Sequence, residues 1–95
     1  MARVLRVAIQ LIEYQRRLAP EPRKAIKAAL VELRSEKGDI ASLEANLAGY
    51  HRLRVGRHRI IFSYASDGAI DALFIEERRL VYELFESEFI KRLKA

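Results

Sequence analysis

Arg52, Arg54, Arg57 and Arg59, interleaved with His51 and His58, crowd into the stretch GYHRLRVGRHRIIFSY from Gly49 to Tyr64, and no acidic residue occurs between Glu44 and Asp67. A guanidinium is a planar, permanently charged fork of donors that matches the oxygens of a phosphate or carboxylate in pairs. This interval therefore predicts an anionic partner. Arginine, with a pKa above about 12, holds negative charge well and accepts a proton poorly, so any base must come from elsewhere. The two histidines, near 6.5 when unperturbed, have the convenient pKa values.

The elements that position these groups are read from periodicity. Leu53 and Val55 alternate with Arg52 and Arg54, and after Gly56 the series His58, Ile60, Phe62, Tyr64 alternates with Arg57, Arg59, Ile61, Ser63. This is the period of two antiparallel strands joined by a tight turn. If Leu53, Val55, Ile60 and Phe62 face a core, then Arg52, Arg54 and Arg59 emerge together on the other side, and His51 and His58 point toward the core side. Charged strands also guard a sheet edge against aggregation, which accounts for one or two arginines but less well for three on one face without a nearby carboxylate. Tyr50 and Tyr64 read as packing residues, and Phe85 and Phe89 as core.

Upstream, Arg3 to Ala8 alternates weakly as a short strand, and Val7, Leu11, Tyr14 and Leu18 recur at helical spacing. No Ser, Thr, Asp or Asn caps that helix, so one longer helix from Val4 is an open alternative. Ala19-Pro20-Glu21-Pro22 interrupts the pattern and starts a second helix, with Ile26, Ala29, Leu30 and Leu33 on one side and Arg23, Lys24, Lys27 and Arg34 largely on a solvated face. Lys37-Gly38-Asp39 is expected to end it. Ile40, Leu43 and Leu47 are spaced as one or two helical turns of a connector. Downstream, Ser66-Asp67-Gly68 signals a second hairpin, Ala69 to Glu76 a third strand, and Glu86 to Lys94 a short terminal helix. The expected fold is α+β: a helical hairpin packed on a three- or four-stranded antiparallel sheet, closed by a short C-terminal helix.

Composition bounds the function. The 95 residues make one domain, 1–95, with one core, and the 18 Lys and Arg against 13 Asp and Glu leave a net charge of +5, which favours nucleic acid or an acidic protein as partner. With no cysteine there is no disulfide or thiolate chemistry, and two histidines argue against a structural zinc site. No apolar run approaches the length of a membrane span and the first residues are charged throughout, so the cytoplasm is the expected location.

Leu47-Ala48-Gly49-Tyr50-His51-Arg52-Leu53-Arg54-Val55-Gly56, followed by His58-Arg59-Ile60-Ile61-Phe62, resembles the L-x-G-x-x-R-L-R-V-G hairpin of the RelE/ParE superfamily of bacterial toxins. Glu77-Arg78-Arg79-Leu80-Val81-Tyr82 resembles the R-R-x-V-Y segment after that family's last strand, and Arg17-Leu18-Ala19-Pro20 fits its entry into the second helix. The resemblance spans essentially the whole chain. Glu77 stands where relatives often have a histidine, and Arg52 and Arg54 stand where they often have lysine.

This resemblance implies the toxin of a toxin–antitoxin pair, in the RelE branch a ribonuclease that enters the ribosomal A site and cuts mRNA without metal or other cofactor. The 2′-hydroxyl attacks phosphorus, leaving a cyclic phosphate and a 5′-hydroxyl. The protein must deprotonate the attacking oxygen, stabilise the phosphorane and protonate the leaving oxygen. Arg52, Arg54 and Arg59 fit the second task. Tyr82 matches the family's functional tyrosine and is the first choice for proton transfer. Arg78 and Arg79 compete for a further arginine position, and Arg57, His51 and His58 are candidates for RNA contact. Two other functions share the fold: a ParE-type, non-enzymatic inhibitor of DNA gyrase, and an inactive homologue that only binds its antitoxin. Each implies a cognate antitoxin with an acidic or amphipathic segment.

Overall fold

A computed structural model describes residues 2–77, 81–85 and 87. Strand β1 (Leu5–Val7) leads through helices α1 (Ile9–Arg16) and α2 (Pro20–Leu33) to strand β2 (Asp39–Ser42) and a 3₁₀ turn (Ala45–Leu47). Strands β3 (His51–Val55), β4 (His58–Tyr64) and β5 (Ile70–Glu77) and the helical turn α3 (Val81–Leu84) follow. The sheet has five strands in the order β1-β5-β4-β3-β2, with β1 parallel to β5 and the other pairs antiparallel. The expected sheet of three or four antiparallel strands is thus one or two strands short and misses the parallel edge. The expected terminal helix over Glu86 to Lys94, with Phe89, lies, apart from Ser87, outside the described residues.

The chain enters α1 as a strand because backbone partners hold it extended. Ile70 N–H donates to Val4 O (2.8 Å) and Ala8 N–H to Ala72 O (2.9 Å). Ala8 stays extended at the helix start and no side chain caps it, so the longer helix from Val4 does not form. The Gln10 amide then covers the part of the β5 edge that short β1 leaves open: Nε2 donates to Ile75 O (2.7 Å) and Oε1 accepts from Ile75 N–H (2.8 Å). One side chain supplies both hydrogen bonds a neighbouring strand residue would make. Between the helices, Arg23 of α2 donates to Gln15 O (3.0 Å) and Leu18 O (2.7 Å), satisfying carbonyls at the end of α1.

Helix α2 ends earlier than its glycine suggests. Lys37 N–H reaches Glu32 O (3.1 Å) and Glu36 N–H reaches Leu33 O (2.8 Å), with Glu36 itself in the left-handed region at φ 57°. This is a Schellman closure carried by a glutamate. The Glu36 carboxylate accepts from Arg3 (3.2 Å) and from the Tyr64 hydroxyl, and those bonds, Tyr64 first, hold it below the usual carboxylate range. Gly38 serves a different need: at φ 128° it passes so close to Leu53 that an added Cβ would lie 2.7 Å from Leu53 Cδ1.

Two apolar clusters lie on opposite faces of the sheet. Under the helices, Leu11, Ile26, Leu30 and Leu33 pack on Leu53, Ile60, Phe62, Ile70, Ala72 and Ile75. On the other face, Leu47, Ile61 and Phe85 form a smaller core with Leu43, Tyr50, Leu73, Phe74 and Tyr82 around it. A bulge makes this second cluster possible: Ile61 pairs with Phe74 but Phe62 pairs with Ala72, leaving Leu73 as the extra residue. Phe85 is fully buried, edge-on to Tyr50 with ring centroids 5.0 Å apart. No helix among the described residues is long and apolar enough to cross a membrane.

Two stability outcomes follow. Gly38→Ala combines a strained φ with overlap on Leu53 and should lower unfolding free energy by about 1–3 kcal/mol in urea titration, since both backbone strain and overpacking act. Gln10→Ala strips both partners from Ile75 and should cost about 1–3 kcal/mol, with faster amide exchange at Ile75 than at the central β4 positions.

Candidate phosphate-binding face

Register settles which side chains meet. Asp39 lies opposite Arg54 and Ala41 opposite Arg52 across β2 and β3, while Arg54 lies opposite Arg59 and Arg52 opposite Ile61 across β3 and β4. Leu53, Ile60 and Phe62 are taken up by the helix-side core, so Arg52, Arg54 and Arg59 occupy the face away from the helices. Ile61 belongs to the second cluster on that same face, and Tyr82 of α3 packs half-buried against that cluster. The sheet therefore gathers Arg52, Arg54, Arg59 and Tyr82 on one side, although Tyr82 is distant in sequence from the hairpin.

The arginines differ in how they are held. Arg52 Nη1 donates to both the backbone O (2.9 Å) and the Oδ1 (3.1 Å) of Asp39. Arg54 Nε meets Oδ2 of the same carboxylate at 2.5 Å. The Arg52 side chain is 21% exposed and the Arg54 side chain 52%, so the second presents more of its guanidinium to solvent. Arg59 turns back over the β3–β4 connection, with Nη1 donating to Gly56 O (3.1 Å) and His58 O (3.2 Å). Hydrogen bonding from Arg52 and the charges of both arginines keep the Asp39 carboxyl below its ordinary pKa. The expectation that this face has no nearby carboxylate is overturned. Asp39, expected at the end of α2, instead opens a strand whose other residues, Ile40 to Ser42, fall in the expected helical connector, because Ile40, Leu43 and Leu47 imitate helical spacing. The signal that would have revealed it is the short alternation of Asp39-Ile40-Ala41-Ser42.

The remaining candidates lie elsewhere. His51 stacks on Phe62 (5.4 Å, 26°), meets Tyr64 edge-on and approaches Ser42 Oγ with Nδ1 at 3.3 Å, on the helix side of the sheet. His58 is buried on the same side, edge-on to Tyr14 at 5.6 Å. Arg57 is exposed at the hairpin turn and, with His58, Glu77, Leu18, Pro22 and Val55, lines an open groove of about 440 Å³ against α2. Arg78 and Arg79 lie outside the described residues. Of the basic residues given to a solvated face, Arg23 caps α1, and Arg34 donates to Arg3 O (3.0 Å).

Several titratable groups on the helix side are displaced from ordinary behaviour. Burial, reinforced by Glu76 and Glu77, pushes the Tyr14 hydroxyl up to about 12, and it donates to the Glu76 carboxylate. Burial likewise lowers the His58 imidazole, opposed in part by the Glu77 charge. Among the described residues no cluster of three or more His, Cys, Asp or Glu is arranged to hold a metal ion.

This architecture is similar to that of solved toxins. The chain superposes on the toxin–antitoxin complex RelBE2 from Mycobacterium tuberculosis with a TM-score of 0.70 at 17% identity, covering 82% of this chain and 93% of that one. It superposes equally well (0.70) on a free mutant of toxin RelE from E. coli at 19% identity, covering 98% and 99%. For the RelB–RelE complex from Methanococcus jannaschii the TM-score is 0.66 at 24% identity, covering 84% and 98%. No protein-family model matches the chain, and no curated protein does. The chain thus has the RelE-like fold.

The histidine shift fixes a pH dependence of stability. A base whose folded pKa is lowered binds fewer protons in the native state than in the unfolded one, so stability rises with pH through that window. His58 should leave stability complete above pH ~6.5 and erode it as the pH falls below that value. Urea midpoints measured from neutral pH downward should fall in the wild type and lose this component in His58→Gln, leaving the carboxylate losses at lower pH.

Proposed function

We propose that this chain is the toxin of a toxin–antitoxin pair and acts as a ribosome-dependent endoribonuclease on mRNA. The observation that carries the reading is the shared face of Arg52, Arg54, Arg59 and Tyr82, formed by three separate segments of the fold. A phosphodiester laid across it meets guanidinium groups whose bonds strengthen as charge builds on the phosphorane. The 2′-oxygen attacks phosphorus, the bond from phosphorus to the 5′-oxygen breaks, and a 2′,3′-cyclic phosphate and a 5′-hydroxyl result. Tyr82 is assigned proton transfer. His51 and His58, engaged on the helix side, and Arg57, at the turn, are assigned at most peripheral contact with RNA. The reaction is assigned no cofactor, and the cytoplasm, where ribosomes work, is its setting.

The partner is a cognate antitoxin. The similar structures from M. tuberculosis and M. jannaschii are complexes of this kind, and a net charge of +5 suits an acidic segment. A gyrase inhibitor and an inactive homologue are the competing outcomes of the test.

Expression without antitoxin should arrest growth, and mapping of mRNA 5′ ends in arrested cells should reveal new cuts inside translated codons. Arg54→Ala should reduce cleavage roughly 10²–10³-fold, the range for losing one donor to a developing charge, and Tyr82→Phe should also relieve the arrest. A DNA-damage response without new mRNA ends would replace this reading with gyrase inhibition, and unaffected growth would replace it with an inactive homologue.

A further inference from the structure

We infer that Asp39 is a positioning residue of the arginine face, bridging Arg52 and Arg54 so that their unbridged N–H groups are held ready for an RNA phosphate, at some cost in affinity for the RNA. The inference rests on the phosphate-binding reading of that face. Each carboxylate oxygen serves a different arginine, Oδ1 taking Arg52 Nη1 at 3.1 Å and Oδ2 taking Arg54 Nε at 2.5 Å. Arg52 is fixed twice, because the same Nη1 also donates to the Asp39 backbone carbonyl.

The sheet register makes this bridge. Asp39 is directly opposite Arg54, so the two side chains share a face at close range. Ala41, opposite Arg52, offers no long side chain to compete, and Arg52 reaches diagonally to Asp39. Without the carboxylate, Arg52 and Arg54 would stand two residues apart on one strand with Arg59 across from Arg54, and like charges would drive the guanidinium groups apart.

Donor arithmetic shows what remains for a ligand. A guanidinium has five N–H donors, and the bridge engages Nη1 of Arg52 and Nε of Arg54. The paired terminal nitrogens of Arg54 form a fork that the bridge does not use, on the more exposed of the two side chains. A diester there is placed by Asp39 and also repelled by it. Position and affinity therefore respond in opposite directions when the carboxylate is neutralised.

The test is Asp39→Asn, nearly the same shape without the charge. Steady-state cleavage of mRNA on programmed ribosomes should show kcat reduced roughly tenfold to a hundredfold, the scale of a small misplacement, while KM falls. Binding to a non-cleavable 2′-O-methyl oligoribonucleotide should tighten, with a log-affinity against log-salt slope steeper by up to about one unit. The Arg54 Nε–H resonance, shifted by the carboxylate in the wild type, should move toward that of a solvent-exposed arginine. Asp39→Glu keeps the charge but moves it, and should retain near-wild-type binding with reduced kcat; it carries the test if Asp39→Asn does not fold. Unchanged kinetics, improvement of both kcat and binding, or parallel loss of both overturns the inference. If the wild type cuts no ribosome-bound mRNA, the ribonuclease reading fails by itself. The oligoribonucleotide titration and the arginine resonance then decide the bridge: untightened binding or an unmoved resonance overturns it.

Discussion

Everything on the arginine face depends on burial on the opposite side. Leu53, Ile60 and Phe62 are driven under α1 and α2, and strand geometry sends their neighbours the other way. Slipping β3 against β4 by one residue would exchange the apolar set for the arginines, placing guanidinium groups in the core. The hydrophobic effect thus enforces the electrostatics: three like charges share one surface because the alternative is to bury them.

The two faces are finished by different means. Two helices seal the first. The second is sealed in part by Phe85 against Ile61 and Leu47, while the positions nearer β2 are left to charge. A bulge adds Leu73 to Phe74 on that side and gives α3 something to pack on, which brings Tyr82 to the same face as the arginines. Asp39 balances the charged part. A carboxylate between two guanidinium groups costs less than leaving the cations to repel one another, and its oxygens accept from both.

Edges are managed just as explicitly. The chain needs β1 only as far as Val7, and beyond it the Gln10 amide satisfies Ile75 in place of a strand. Arg23 closes the end of α1, and Glu36 closes α2 while pairing with Arg3 and Tyr64. These polar side chains make specific backbone and side-chain bonds, although in the sequence they look like ordinary surface charge.

Residue periodicity is enough to place the β3–β4 hairpin, the helical hairpin, the core side of each and the side on which Arg52, Arg54 and Arg59 emerge. Period-two and helical patterns are local, and burial reads them directly. Long-range pairing alone makes Asp39 to Ser42 a strand, runs β1 parallel to β5 and sets a bulge between the Ile61 and Phe62 pairs. Those depend on pairing between distant segments, which four weakly alternating residues do not announce. The same limit hid Asp39. The arginine stretch contains no acid, and its counter-charge arrives from a separate strand through cross-strand register, which is a property of the folded sheet.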